Sequence, residues 1–229
     1  LSQADSARLT FDAAIFQVLK VFPTPVVVAP VSDPDVLNTA LRQAILSNKA
    51  AATGVAKSND GRWQSQDDFA SWSGRSGEQL LTLARQLADQ LTAVQTAEGL
   101  LRQPPVWTVN AWANVNAPGD RNHAHHHAGG YWSGVYWVDA GEATADTPVG
   151  GEFEMNDPRG ILPGFSSPSL RYAVTGCLSA GLTDFIVPKS GTMIMFPSWL
   201  VHGVRPYRGQ NERISVAFNF SPDMRPASA

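Results

Sequence analysis

The sequence predicts an α+β domain, mainly β, whose core is a jelly roll or barrel. Three observations predict it. Apolar residues recur at helical spacing in two stretches of the N-terminal half. From Val106 onward the period switches to two. The strands that follow are short, and Gly and Pro punctuate them. Two helices followed by many short strands make a layered α+β domain rather than a chain of βαβ units. The 229 residues fit one domain long enough to bury a sizeable core. Residues 1–104 form its helical part, covering the barrel, and residues 105–221 its β core.

The elements follow in order. Val26-Val27-Val28, bounded by prolines, reads as a short strand. Asp33-Pro34 reads as an N-cap followed by proline at the first helical position. Leu37, Leu41 and Ile45 then share one face. A second helix opens with Ser76 and Gln79 at capping-box spacing and carries the stripe Leu80, Leu83, Leu87, Leu91, Val94. In the strand after Val106, Thr108, Asn110, Trp112 and Asn114 share one face; Trp107, Val109, Ala111 and Val115 share the other. Tyr131–Val138 is a second strand, rich in aromatic and β-branched residues. Further strands fit Gly151–Glu154, Thr183–Val187, Thr192–Phe196 and Arg213–Phe218. Residues 139–150 and 156–171 are loops of a length typical of lids or binding segments.

Composition excludes several function classes. A net charge of −3 gives no basic footprint, so nucleic acid is not an expected partner. No apolar run reaches the roughly 18 residues of a membrane span. Leu1 to Ala14 lacks the pattern of a secretory signal peptide. The single Cys177 excludes an intramolecular disulfide and reads as a packed thiol in a reducing compartment, hence a cytoplasmic protein. The helices are placed either to cover the barrel or to form a homodimer interface.

The chemistry concentrates in five histidines. Four are His123, His125, His126 and His127; the fifth is His202. Histidine is the commonest metal ligand. On an extended strand His125 and His127 face one side and His126 the other. A third imidazole, His202 on a strand across the barrel, completes a facial set and leaves three coordination positions open. The two-histidine, one-carboxylate version of that set is the non-haem iron triad. A second patch is Arg213-Ile-Ser-Val-Ala-Phe-Asn219: alternation puts Arg213, Ser215 and Asn219 on one face. A guanidinium fork beside a hydroxyl, facing a barrel interior, suits a carboxylate.

These residues, with Asn114-Val-Asn-Ala-Pro-Gly119, Asn122, Ser133-Gly-Val-Tyr136, Gly150-Gly-Glu-Phe153, Asp157-Pro-Arg159, Gly191, and Phe196-Pro-Ser-Trp-Leu200, stand in an order that resembles a bacterial and phage branch of the 2-oxoglutarate/iron(II) oxygenase superfamily. Phe22-Pro-Thr-Pro25 and Trp63-Gln-Ser65 resemble that branch's N-terminal half. The resemblance implies a double-stranded β-helix (jelly roll, cupin-like) with the helices packed on one sheet. It implies Fe(II) held by His125, His127 and His202, which are then the catalytic centre, and 2-oxoglutarate held at its distal carboxylate by Arg213 and Ser215. The pair 125/127 is preferred over 123/125 because six residues then separate its second histidine from Ser133, as in the family. Asn110 and Asn114 share a face and are placed to hydrogen-bond the chelating end of 2-oxoglutarate.

Two departures from the family pattern stand out: His127 replaces the usual carboxylate, and Ala128 follows it where the branch often has proline. A neutral imidazole in place of a carboxylate makes the iron more Lewis acidic and shifts its potential. Glu152 and Asp157 are alternative carboxylates, though Asp157 lies in a turn-like Asn-Asp-Pro-Arg. His126 reads as a residue around the ligands or on the surface and His123 as solvated. Trp112, Tyr131 and Tyr136 line the pocket or pack the core. Three functions remain open: a 2-oxoglutarate-dependent dioxygenase; a cupin-like three-histidine dioxygenase whose substrate chelates iron directly, with Arg213 binding that substrate's carboxylate; and a non-catalytic or zinc-binding barrel. The substrate is a small molecule or a protein; fold gives no further guidance.

Overall fold

The computed structural model describes residues 18–55, 57, 59–61, 63–103, 105–142, 149–160, 162–177 and 181–223. The chain runs β1 (Val27–Pro30), α1 (Asp35–Ala51), β2 (Asn59–Asp60), β3 (Trp63–Gln64), α2 (Phe69–Trp72), α3 (Gly74–Leu91), β4 (Val94–Thr96) and β5 (Gly99–Leu101). It continues through β6 (Trp107–Asn116), β7 (Arg121–His125), β8 (Trp132–Asp139), β9 (Phe153–Asn156), α4 (Leu162–Ser166), β10 (Thr183–Ile186), β11 (Thr192–Pro197), β12 (His202–Val204) and β13 (Arg213–Pro222). A six-stranded sheet has the order β1-β11-β8-β13-β6-β3 and a five-stranded sheet the order β10-β9-β12-β7-β2. The two sheets form the double-stranded β-helix, with β4 and β5 as a separate hairpin.

Period-two alternation in the larger sheet sorts the sequence into two layers. β13 lies between β6 and β8, antiparallel to both, and residues 213–220 are all buried. Its Ile214, Val216, Phe218 and Phe220 join Ala111, Ala113 and Val115 of β6 and Tyr136 and Val138 of β8. Against this face pack Leu41 and Ile45 of α1 and Leu80, Ala84 and Ala88 of α3. The opposite face presents Arg213, Ser215, Ala217 and Asn219, with Asn110, Trp112 and Asn114 of β6, to a cavity between the sheets. A smaller apolar cluster of Trp137, Phe153, Ile194, Phe196 and Leu200 joins the sheets beside that cavity. The faces expected for β6 and β13 are therefore those observed, and the helices cover one sheet.

The helix ends and ridges differ from expectation. α1 begins at Asp35 with Pro34 in the capping position and no side-chain cap. Asp33 has φ 48°, whereas a capping carboxylate needs extended backbone to reach the first amides. The turn is closed instead by the Asn38 amide donating to the Pro34 carbonyl at 2.8 Å. α3 begins at Gly74, so Ser76 lies inside the first turn, its hydroxyl donating to the Ser73 carbonyl. The buried ridge of α3 is Gly77, Leu80, Ala84 and Ala88; Leu83 is 38% exposed. Small side chains let the helix lie close to the sheet, and this turns the larger leucines toward its flanks. Val94 belongs to β4 and is exposed.

The strand at Gly151 starts two residues later, at Phe153, because Gly150 and Gly151 both take φ 78°. The segment 156–171 contains α4, and residues 143–148 of the other long loop lie outside the described residues. β1, β2 and β3 come from the N-terminal part and extend the sheets at their edges. Leu80 is fully buried between α3 and the sheet. Leu80→Ala should cost about 2–5 kcal/mol of stability, read as a lowered urea midpoint with unchanged slope.

Candidate metal centre

His125 ends β7 and His202 opens β12, and the two are directly paired across the adjacent strands. The third histidine is thus a neighbour of the first within one sheet, not a residue from across the barrel. His127 lies beyond the end of β7 and is held by its amide donating to the Ser198 carbonyl at 2.9 Å. The ring centroids of His125 and His202 are 4.6 Å apart, of His125 and His127 5.0 Å, and of His127 and His202 5.1 Å. One ligand atom from each lies within 4.8 Å of the others. That spacing lets three imidazoles converge on one ion.

Backbone carbonyls fix two of the rings. His125 Nδ1 donates to the His123 carbonyl at 2.7 Å and His202 Nδ1 to the Leu200 carbonyl at 2.8 Å. A carbonyl only accepts, so the proton sits on Nδ1 and the Nε2 lone pair is left for a metal. His202 is packed by Phe153 and Phe196, with centroids at 5.2 and 4.7 Å. Trp112 flanks His127 at 5.7 Å. Burial first, then repulsion from neighbouring imidazoles, pushes His202 down to about 3; the backbone bond to Leu200 opposes this. The same two causes push His127 down to about 4. Both are neutral near pH 7, the form that binds metal.

No carboxylate joins the cluster among the described residues. Asp157 is bound by Arg159 and by the Gly181 amide. Glu152 lies beside Arg213, acting on its charge. His126 is exposed at the rim of the same cavity rather than turned away from it. His123 is exposed and paired with Asp60 at 3.1 Å. Of the three aromatics, Trp112 lines the cavity. Tyr131 is half exposed, and Tyr136 packs on the helix side with its hydroxyl donating to Asn38.

The cavity has a volume of about 460 Å³ and is lined by all three imidazoles, Arg213, Ser215, Asn110, Asn114 and Asn219. Arg213 is 2% exposed and has no salt-bridge partner among the described residues; its Nη1 donates to the Gly151 carbonyl and its Nε has no partner. Burial pushes its pKa down to about 10, so it remains a cation at neutral pH. Gly151 makes room for it, since a Cβ there would meet Nη1 at 2.5 Å. Asn114 Oδ1 and Trp137 Nε1, in the same wall, are also buried without partners. Buried polar atoms are nearly always paired, so this wall is built for a polar ligand. Asn114 pairs with Ser215 and Asn110 with Asn219, which sets the two asparagines at different depths. Asn110 is exposed at the rim.

Sequence reasoning did not single out Lys57, Gln64, Asp67 and Trp137, which line the cavity as well. Gln64 lies in the Trp63-Gln-Ser65 stretch and Trp137 lies two residues from Val135 on a predicted strand, so both left a signal. The Lys57–Asp67 ion pair, at 2.8 Å, left none.

Residues 110–219 match the family model described as "Putative 2OG-Fe(II) oxygenase". Over that stretch, which contains all three imidazoles and Arg213, the chain is similar to the 2OG-Fe(II) oxygenases. Iron(II) and 2-oxoglutarate are the cofactors of this family, and the oxygenase fold recurs in solved structures. A prolyl-4-hydroxylase from Pseudomonas putida is 17% identical, with a TM-score of 0.58 over 86% of this chain and 92% of that one. A prolyl hydroxylase from Trichoplax adhaerens, in complex with a hypoxia inducible factor peptide fragment, is 10% identical, with a TM-score of 0.60 over 86% and 84%. HygX from Streptomyces hygroscopicus, with nickel and 2-oxoglutarate bound, is 14% identical, with a TM-score of 0.57 over 88% and 84%. No curated protein sequence matches. Among the described residues, no helix is long and apolar enough to cross a membrane.

The depressed imidazole pKa values couple stability to pH. Unfolded, these histidines bind protons near their ordinary 6.5; folded, His127 and His202 refuse them until about 4 and 3. Their contribution is full above pH 6.5 and is lost as pH falls from there toward the folded values. The melting temperature of metal-free oxygenase should therefore drop between pH 6.5 and pH 4, and His202→Gln should flatten that slope. Iron(II) should raise the wild-type melting temperature and leave His202→Gln almost unmoved.

Proposed function

We propose that this oxygenase is an iron(II)- and 2-oxoglutarate-dependent dioxygenase that hydroxylates its substrate while 2-oxoglutarate is decarboxylated to succinate. One oxygen atom of O2 enters the substrate and the other enters succinate. The observation that carries the reading is Arg213, a buried cation with no salt bridge among the described residues, in the same cavity wall as three convergent imidazoles. A buried charge left unpaired is costly, and a dicarboxylate ligand supplies what is missing.

In this reading His125, His127 and His202 hold the iron, and Arg213 with Ser215 holds the distal carboxylate of 2-oxoglutarate. The bound iron supplies the activation of dioxygen and the oxidising power for C–H cleavage. The chain's own residues position and shield. Arg213 offers a planar fork and Ser215 one hydroxyl, so the dicarboxylate enters in one orientation. Phe153 and Phe196 exclude water beside His202. The Nδ1 bonds of His125 and His202 aim both rings and leave their Nε2 atoms for the metal. The substrate approaches from the rim, past Asn110, His126 and the Lys57–Asp67 pair, and is a small molecule or a protein side chain.

A second reading is favoured by one observation: among the described residues no carboxylate joins the ligand set. In it the three histidines hold iron for a substrate that chelates the metal itself, and Arg213 binds that substrate's carboxylate. One titration separates the two. Metal-free protein is loaded anaerobically with iron(II), then with 2-oxoglutarate, and the visible charge-transfer absorption of the chelate is followed. The first reading expects the band, and expects Arg213→Met to keep iron but weaken 2-oxoglutarate by about 100-fold, roughly 3 kcal/mol. Tight iron binding with no band overturns it in favour of the second.

A further inference from the structure

The wall that holds Arg213 contains a donor that neither the family motif nor sequence reasoning points to. Trp137, on β8, is 1% exposed, and its indole Nε1 is buried with no hydrogen-bond partner. An indole N–H can only donate, and burying one unpaired costs on the order of 1–3 kcal/mol. Native interiors seldom tolerate that outside sites that await an acceptor.

Its position in the sheet says which acceptor. Ser215 of β13 pairs directly with Trp137 on one side and with Asn114 on the other, and Asn114 pairs with Gln64 of β3. Directly paired residues share a face with Cβ atoms about 5 Å apart. Trp137, Ser215, Asn114 and Gln64 thus form one polar row across the inner face of the larger sheet, and all four line the cavity. Arg213 stands two residues from Ser215 on the same strand face. The register shift between Ile214 and Ser215 brings this about: Ile214 pairs with Asp139 but Ser215 with Trp137, so Val138 is bulged out of the ladder. Without that irregularity Ser215 would face Val138, and the indole would be out of step.

We infer that the Trp137 indole N–H is a third donor to the distal carboxylate of 2-oxoglutarate, beside the Arg213 guanidinium and the Ser215 hydroxyl. This rests on the reading of Arg213 and Ser215 given above. A carboxylate has about four lone-pair sites, so a bidentate guanidinium and a hydroxyl leave one for the indole. The ring also packs with Phe153 and Phe196, which keeps the donor rigid and dry.

The test is a spectroscopic one on wild-type protein loaded with zinc(II) as a diamagnetic metal. The chain has seven tryptophans, so 15N-tryptophan labelling gives seven indole cross-peaks, and Trp137 is assigned through its backbone connectivity. Adding 2-oxoglutarate should move the Trp137 indole proton downfield. 2-Oxobutyrate, which keeps the chelating end and lacks the distal carboxylate, should leave it in place. Trp137→Phe should raise the dissociation constant for 2-oxoglutarate about tenfold and leave that for 2-oxobutyrate unchanged. An indole peak that stays put, or moves equally with both acids, overturns the inference. So does an unchanged 2-oxoglutarate affinity in folded Trp137→Phe. The two levels fail separately. If Arg213→Met still binds 2-oxoglutarate as wild type does, the cofactor reading falls. If Arg213→Met loses it while Trp137 is indifferent, only the third donor falls.

Discussion

The wall that carries Arg213 depends on the pairing of β13 with β6 on one side and β8 on the other. A strand buried on both faces sorts its side chains by parity alone. Even positions from Ile214 to Phe220 meet α1 and α3, and odd positions from Arg213 to Asn219 meet the cavity. A slip of one residue would bury the guanidinium against α1 and α3 and turn Ile214 and Val216 into the cavity. The ten-rung ladder from Arg213–Asn116 to Pro222–Trp107 resists that slip, and the apolar helix face penalises it. Core and site are two readings of one register.

That register is also why much of the molecule was legible in the sequence. Alternation in β6 and β13 needs only period two and a choice of inner face, and Arg213 with Ser215 made the choice. The H-x-H spacing pointed to the histidine cluster for a similar reason, although His127 lies past the strand end and is held by Ser198. What was not legible depends on contacts distant in sequence. Nothing local says that His202 sits beside His125 rather than opposite it. Nothing local says that the ridge of α3 runs through Ala84 and Ala88 while Leu83 is left half out. Helix capping failed at Asp33 because its backbone turns left-handed, and the chain on either side closes the turn instead. The Lys57–Asp67 pair joins two short segments whose proximity only the folded sheets create.

A neutral three-imidazole set beside an unpaired buried arginine gives the cavity an unusual electrostatic character. Among the described residues the ligand set itself holds no carboxylate, and the acidic Asp67 near His127 is paired with Lys57. Glu152 offsets part of the charge of Arg213. An anion entering the cavity therefore meets attraction at its deep end and no repulsion from the ligand set.

The route by which His127 is held has a mechanical consequence. His125 and His202 belong to the smaller sheet. His127 is tied by its amide to Ser198, just after β11. Ser198 bonds to Ser133, which donates to Asn219, so that end of the chain is moored to β8 and β13 of the larger sheet. An ion gripped by all three imidazoles is then a cross-link between the two layers of the sandwich. It would join the layers at that point much as a disulfide joins two strands. Such an ion would tie the two layers together at the entrance, above the site where it is held.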